Sequence, residues 1–204
     1  KVFEIMERVI SGKPKANPTF ISSWIIKPTS LCDELINYFE ANKSKQYLGV
    51  TSSGLNTESK DTTDISIKPK DILLPGNEIF KKYIEEIHKC HKDYISQWEF
   101  LENNPIEYEI GVFAMVRYQP GQHFKQIHTE RFSLSTLHRV FVFMTYLNDV
   151  EEGGSTYFSN YDFDIQPKKG LTLIWPAEWT HAHRGNILKS GLKYMISGWI
   201  NFSY

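Results

Sequence analysis

The sequence predicts a mostly β fold with flanking helices (α+β), a double-stranded β-helix (jelly roll) core packed by N-terminal helices. Three observations lead there. From Tyr108 onward the chain breaks into short β-branched and aromatic runs, YEIGVFAMVRY, VFVFMTYL, STYF, DFDI, LTLIW and KYMISGWINF, separated by Gly, Pro, Asn and Asp. No helical pattern intervenes after Pro105, which disfavours a parallel α/β sheet. Before Pro105, two segments carry apolar residues at helical spacing.

Taken in order, FISSWII reads as a strand. A helix follows: Ser30 has Asp33 at the capping-box offset, and Leu31, Leu35, Ile36 and Phe39 share one face. Ser44 to Asp71, rich in Ser, Thr, Lys and Asp, reads as loops around one short strand at Asp64-Ile65-Ser66-Ile67, with flexibility suited to substrate entry. A second helix opens near Pro75-Gly76-Asn77 and runs to about Glu102, since Phe80, Tyr83, Ile84, Ile87, Tyr94 and Trp98 recur on one face. Without an internal repeat, the expectation is a single domain over 1–204, helix-rich at 1–107 with the jelly-roll core at 108–204.

Composition narrows the function. With 204 residues, 41% hydrophobic, one sizeable core is affordable. A net charge of −1 provides no overall basic field, so neither nucleic acid nor an anionic membrane is an expected partner. Cys32 and Cys90 are far apart and lack CxxC spacing, which points away from a disulfide framework or thiolate zinc site and towards a reducing cytoplasm. No stretch approaches the roughly 20 apolar residues that span a bilayer. The charged start KVFEIMERV does not read as a signal peptide, and because the chain opens on Lys1 a preceding segment stays open. The oligomeric state is not legible.

Three of the seven histidines fall in His128-Thr129-Glu130 and His181-Ala182-His183. In a strand, residues i and i+2 share a face, so His128 and Glu130 can reach one ion while a distant strand supplies a third ligand. Two histidines and a carboxylate fill one face of an octahedral metal and leave three positions open, as iron(II) needs to bind a chelating co-substrate together with O2. Zinc favours a closed site or a single open position. Alone, an HxE pattern is as ordinary as any pair on a half-exposed strand. Lys193 lies between Gly191 and the apolar run Tyr194-Met195-Ile196. A lysine in a buried strand requires an anionic partner to offset its desolvation.

Together these features, from Val116 to Phe202, resemble the prolyl 4-hydroxylase branch of the 2-oxoglutarate and iron(II)-dependent oxygenases. The stretch Tyr118-Gln119-Pro120-Gly121-Gln122-His123-Phe124 before His128 is similar to the family's approach to its first metal histidine. Tyr146-Leu147-Asn148 and Gly153-Gly154-Ser155-Thr156 resemble its YLN and GGxT signatures, KKGLTLIWPAEWTHAHRGN the turn with the second metal histidine, and GLKYMISGW the strand with the co-substrate's basic residue. The resemblance implies iron(II) on His128, Glu130 and His183. It favours His183 over His181, which stays the alternative ligand, because the family's co-substrate lysine follows the distal histidine by ten residues, the separation of His183 from Lys193. It further implies 2-oxoglutarate held by Lys193, Tyr146 and Tyr118, O2 and ascorbate as further requirements, Arg139 orienting substrate, and Trp199 backing the metal site.

Glu130 departs from the usual aspartate. A carboxylate of either length argues against the halogenating branch, and the absence of Arg from Tyr194 to Phe202 against nucleic-acid repair. The implied activity is hydroxylation of a C–H bond, with a prolyl residue in a peptide or protein as substrate, coupled to conversion of 2-oxoglutarate to succinate and CO2. The rival readings are a hydroxylase of a lysyl side chain or small metabolite, and a non-catalytic β-sandwich binding module.

Overall fold

Alternating apolar residues after Tyr108 build two antiparallel sheets that enclose a shared interior. The computed structural model describes residues 18–51 and 53–203; the KVFEIMERV segment lies outside them. In chain order the elements are β1 (Ser22–Ile25), α1 (Ser30–Ala41), β2 (Tyr47–Leu48), β3 (Thr63–Ile67), α2 (Glu78–Ser96), α3 (Glu99–Asn103), β4 (Tyr108–Tyr118), β5 (Phe124–His128), β6 (Arg139–Tyr146), β7 (Thr156–Phe158), β8 (Phe163–Ile165), β9 (Leu171–Pro176), β10 (His183–Gly185) and β11 (Lys193–Phe202). The major sheet runs β1-β9-β6-β11-β4-β3-β2 and the minor sheet β5-β10-β7-β8.

The amphipathic helices cover the outer face of the major sheet. Leu35 and Phe39 of α1 and Phe80, Tyr83 and Ile87 of α2 are buried in one cluster with Phe113, Phe143 and Ile196 of the sheet. The Tyr83 hydroxyl donates to Thr145 Oγ1 at 2.9 Å across that interface. Between the sheets lies a second cluster, in which Val116, Tyr118, Trp175 and Met195 of the major sheet meet Phe158 of β7. The β-rich class with flanking helices thus agrees with the sequence reading. Among the described residues no helix is long and apolar enough to cross a membrane.

Three local expectations are corrected. The second helix does not run unbroken to Glu102: Trp98 takes an extended conformation (φ −123°, ψ 106°) between α2 and α3, and its ring packs on Phe20, centroids 4.7 Å apart. The capping box at Ser30 is absent, because Thr29 takes the N-cap position without a side-chain cap bond, and Asp33 pairs instead with Lys169 at 2.7 Å. Thirdly, β5 ends at His128, so Glu130 lies past the strand in a bend.

Candidate active site

Pairing within the minor sheet sets His128 of β5 directly opposite His183 of β10. Directly opposed residues share a face, and the two imidazole centroids lie 4.4 Å apart. Glu130 joins them because Thr129 Oγ1 donates to the Ala177 carbonyl (3.0 Å) and the Arg131 amide to the same oxygen (2.9 Å), pinning the bend after β5. Glu130 Oε1 then stands 3.5 Å from His128 Nε2 and 3.6 Å from His183 Nε2. Ion-to-ligand bonds of about 2 Å separate neighbouring donors by roughly 3 Å, so a small inward shift lets these atoms share one ion. They are the one such group of three among the described residues.

The donor set suits a divalent cation chemically as well. His128 Nδ1 faces the Gln126 carbonyl and His183 Nδ1 the His181 carbonyl, each at 2.9 Å. Both bonds place the proton on Nδ1 and leave Nε2 bare. Burial pushes the His183 imidazole down to about 4, aided by neighbouring His128, so it stays neutral. Burial works against ionisation of Glu130, but the adjacent His128 and His183 and the Trp199 indole N–H outweigh it and hold the carboxyl down at about 2. Phe124 stacks on the His128 ring at 3.9 Å and 11°, fixing its plane.

The cluster opens into a cavity of about 600 Å³ between the sheets. Lys193, 1% exposed, also lines it. Its Nζ donates to the Gly154 carbonyl at 2.6 Å and lies 4.4 Å from the Tyr118 ring centroid. It has no carboxylate partner among the described residues, and burial pushes its pKa down to about 7. An unopposed buried ammonium in the cavity that holds the three metal-type donors fits an anionic co-substrate.

The remaining candidates divide. Tyr118 lines the cavity. Tyr146 lies behind the wall, its hydroxyl engaged with Thr156 Oγ1 (2.5 Å) and the Ile165 carbonyl (3.3 Å), while Thr156 itself faces the cavity. Thr156 is the residue that the reading of side chains left without a role, although it closes the GGxT signature. Arg139 also lines the cavity, stacked on Trp199 and bonded to the Glu130 carbonyl oxygen. His181 is turned away: its Nε2 meets the Thr19 carbonyl at 2.8 Å and its Nδ1 meets Thr180 Oγ1 at 2.9 Å.

Residues 113–201, from β4 to β11, match the 2OG-Fe(II) oxygenase superfamily. The chain is similar to that superfamily over this stretch, somewhat under half of its length. The match, together with the two-histidine, one-carboxylate group, implies iron(II), 2-oxoglutarate and O2. Probable prolyl 4-hydroxylase 11 of Arabidopsis thaliana is 25% identical over 200 residues, covering 93% of this chain, and the chain spans 66% of that relative's length. The viral collagen prolyl hydroxylase of Paramecium bursaria Chlorella virus-1 superposes with a TM-score of 0.65 at 21% identity, over 90% of this chain and 97% of its own. A Trichoplax adhaerens prolyl hydroxylase, solved with a hypoxia-inducible-factor peptide, gives 0.70 at 14% identity, over 90% of this chain and 84% of its own. At these identities the structural likeness establishes that the chain shares their fold.

Proposed function

We propose that the chain is a 2-oxoglutarate- and iron(II)-dependent dioxygenase that hydroxylates a prolyl residue in a peptide or protein. The observation that carries this is one cavity joining a two-histidine, one-carboxylate cluster to a buried, unopposed lysine. His128, Glu130 and His183 would hold the iron, whose chemistry is to bind the 2-oxo acid and O2 side by side and couple decarboxylation to oxidation of the substrate. Lys193 would neutralise the far carboxylate of 2-oxoglutarate, with the Thr156 hydroxyl at hand and Tyr146 aligning that hydroxyl from behind. Tyr118 walls the co-substrate end and excludes water.

A peptide substrate is supported by the mouth of the cavity. Val50 and the more exposed Phe132 line it and offer apolar contact, and Arg139 supplies a donor that can orient a backbone carbonyl. The prolyl choice itself comes from the prolyl hydroxylases among the relatives. Ascorbate is proposed as an accessory requirement from the family resemblance of the sequence.

The test is incubation with iron(II), 2-oxoglutarate, ascorbate and a panel of proline-rich peptides, scored for succinate and a peptide mass gain of one oxygen. His183→Ala is expected to abolish both and the binding of iron. His181→Ala, which removes a buried hydrogen-bonded ring, is expected to cost about 1–3 kcal/mol of stability and leave iron bound. Iron binding that survives His183→Ala and disappears in His181→Ala would overturn the ligand assignment. No oxygen gain across the panel would overturn the prolyl substrate.

A further inference from the structure

We propose that Trp199, backed by Arg139, is a positioning residue that confines Glu130 to one-oxygen ligation of the metal, an inference that rests on the oxygenase reading above. The two oxygens of Glu130 have different surroundings. Oε1 faces the bare Nε2 atoms of His128 and His183. Oε2 accepts the Trp199 Nε1 hydrogen at 2.9 Å and lies 3.7 Å from Arg139 Nη1. The Arg139 guanidinium sits 3.6 Å from the Trp199 ring centroid, and its Nη1 donates to the backbone carbonyl of Glu130 at 2.9 Å. One cation therefore spans both ends of Glu130 and presses on the indole that holds its outer oxygen. Trp199 is aimed there from β11 at the point where the register with β4 shifts, between Gly198 and Ile200, and such irregularities re-aim side chains.

The consequence lies in how many positions stay open. A carboxylate can give a metal one oxygen or two. Two histidines and one oxygen leave three of six octahedral positions free, two for a chelating 2-oxo acid and one for O2. A second oxygen from Glu130 would take one of those three. Glutamate is more prone to this than aspartate, because its additional methylene lets the carboxylate rotate into the metal. A hydrogen bond to an ionised oxygen is among the stronger kinds, and the one from Trp199 occupies the oxygen that would otherwise chelate. Arg139 keeps the indole in that plane and adds positive charge on the same side.

Cobalt(II), which resists oxidation by air, is the probe. Wild type, Trp199→Phe, Arg139→Met, Glu130→Asp and the Glu130→Asp/Trp199→Phe double variant are each loaded with cobalt(II) and titrated with 2-oxoglutarate, following metal affinity, 2-oxoglutarate affinity and the cobalt d–d spectrum. Trp199→Phe keeps an aromatic ring and loses the N–H. It is expected to weaken 2-oxoglutarate binding roughly ten- to a hundredfold, the scale of one hydrogen bond to a charged group. Cobalt affinity is not expected to fall, and the spectral change that 2-oxoglutarate elicits in wild type should shrink. Arg139→Met is expected to act in the same direction and more weakly. In the Glu130→Asp background the shorter arm no longer reaches the indole, so Trp199→Phe adds nothing further, a non-additivity that a merely structural role for the ring would not produce.

Wild-type 2-oxoglutarate affinity and spectrum in Trp199→Phe would overturn the proposal, as would a parallel loss of cobalt and 2-oxoglutarate affinity, which signals general loosening of the site. If Trp199→Phe fails to fold, Arg139→Met is read by the same criteria. A wild-type protein that takes up neither cobalt nor 2-oxoglutarate would overturn the oxygenase reading itself. Wild-type binding with an unaffected Trp199→Phe variant overturns only the clamp.

Discussion

Among the described residues Lys193 has a single hydrogen-bond acceptor, the Gly154 carbonyl, in an interior that otherwise offers it the Tyr118 and Tyr146 rings. Replacing an uncompensated buried charge by an apolar side chain of similar length removes a desolvation cost. Lys193→Met is therefore expected to melt at or above the wild-type temperature without ligand, while 2-oxoglutarate, which should raise the wild-type melting temperature, leaves the variant unmoved. The pH dependence follows from the same burial. Free Lys193 loses its proton near pH 7 rather than 10.5, whereas a bound carboxylate favours the charged form. Binding above pH 7 must then take up a proton, so calorimetric titration is expected to show affinity flat below about pH 7 and falling about tenfold per pH unit above it. The ligand-free protein gains stability over that range, because the unfolded chain holds the proton that the folded one has released. At this scale the ten-residue separation of the resembled family favours His183 over His181, and of those two it is His183 whose ring faces Glu130. The bonding of Tyr146 to Thr156, and of Trp199 to Glu130, was not legible, because each depends on which way a buried side chain turns, and spacing does not encode that.

Strand β11 does most of the positioning, since Lys193 and Trp199 stand on it and it pairs with both β4 and β6 along most of its length. Gly198 makes that close pairing possible. A Cβ there would lie 2.4 Å from Phe113 Cβ and 2.6 Å from Phe143 Cζ, both in the core beneath α2. Gly198→Ala is expected to destabilise the protein by about 1–3 kcal/mol, read from the urea midpoint at unchanged slope, as overpacked cores do. Elements as long as this were legible: YEIGVFAMVRY and KYMISGWINF coincide with β4 and β11, because long runs of β-branched and aromatic residues have few other ways to be buried. The three-residue strand β10 was not legible, since HRG has no pattern to read and exists as a strand through its partners β5 and β7. The break between α2 and α3 was hidden for a related reason. Trp98 fits the helical period, and its contact with Phe20, distant in sequence, overrides it.

At the scale of the molecule, the two halves that differ in texture share one core, because the inner faces of α1 and α2 are buried on the back of the major sheet. We propose on that ground that they fold as one unit. Calorimetry is expected to show a single unfolding transition, and the isolated fragment 108–204, its sheet stripped of Leu35, Phe39, Phe80 and Ile87, none. Two resolved transitions would sink this. The segment between β2 and β3, expected from its composition to be loose, is tied down at its end: the Asp61 and His123 backbones exchange two hydrogen bonds (2.8 and 3.1 Å), and the Gln126 amide reaches the Ser59 carbonyl. These bonds lie on the side of β5 that β10 leaves free. Unpaired strand edges recruit other chains, and the other outermost strands, β1, β2 and β8, have four, two and three residues. Residues 59–61 thus act as a guard rail on the minor sheet, so that the strand carrying His128 offers neighbouring molecules little to aggregate on.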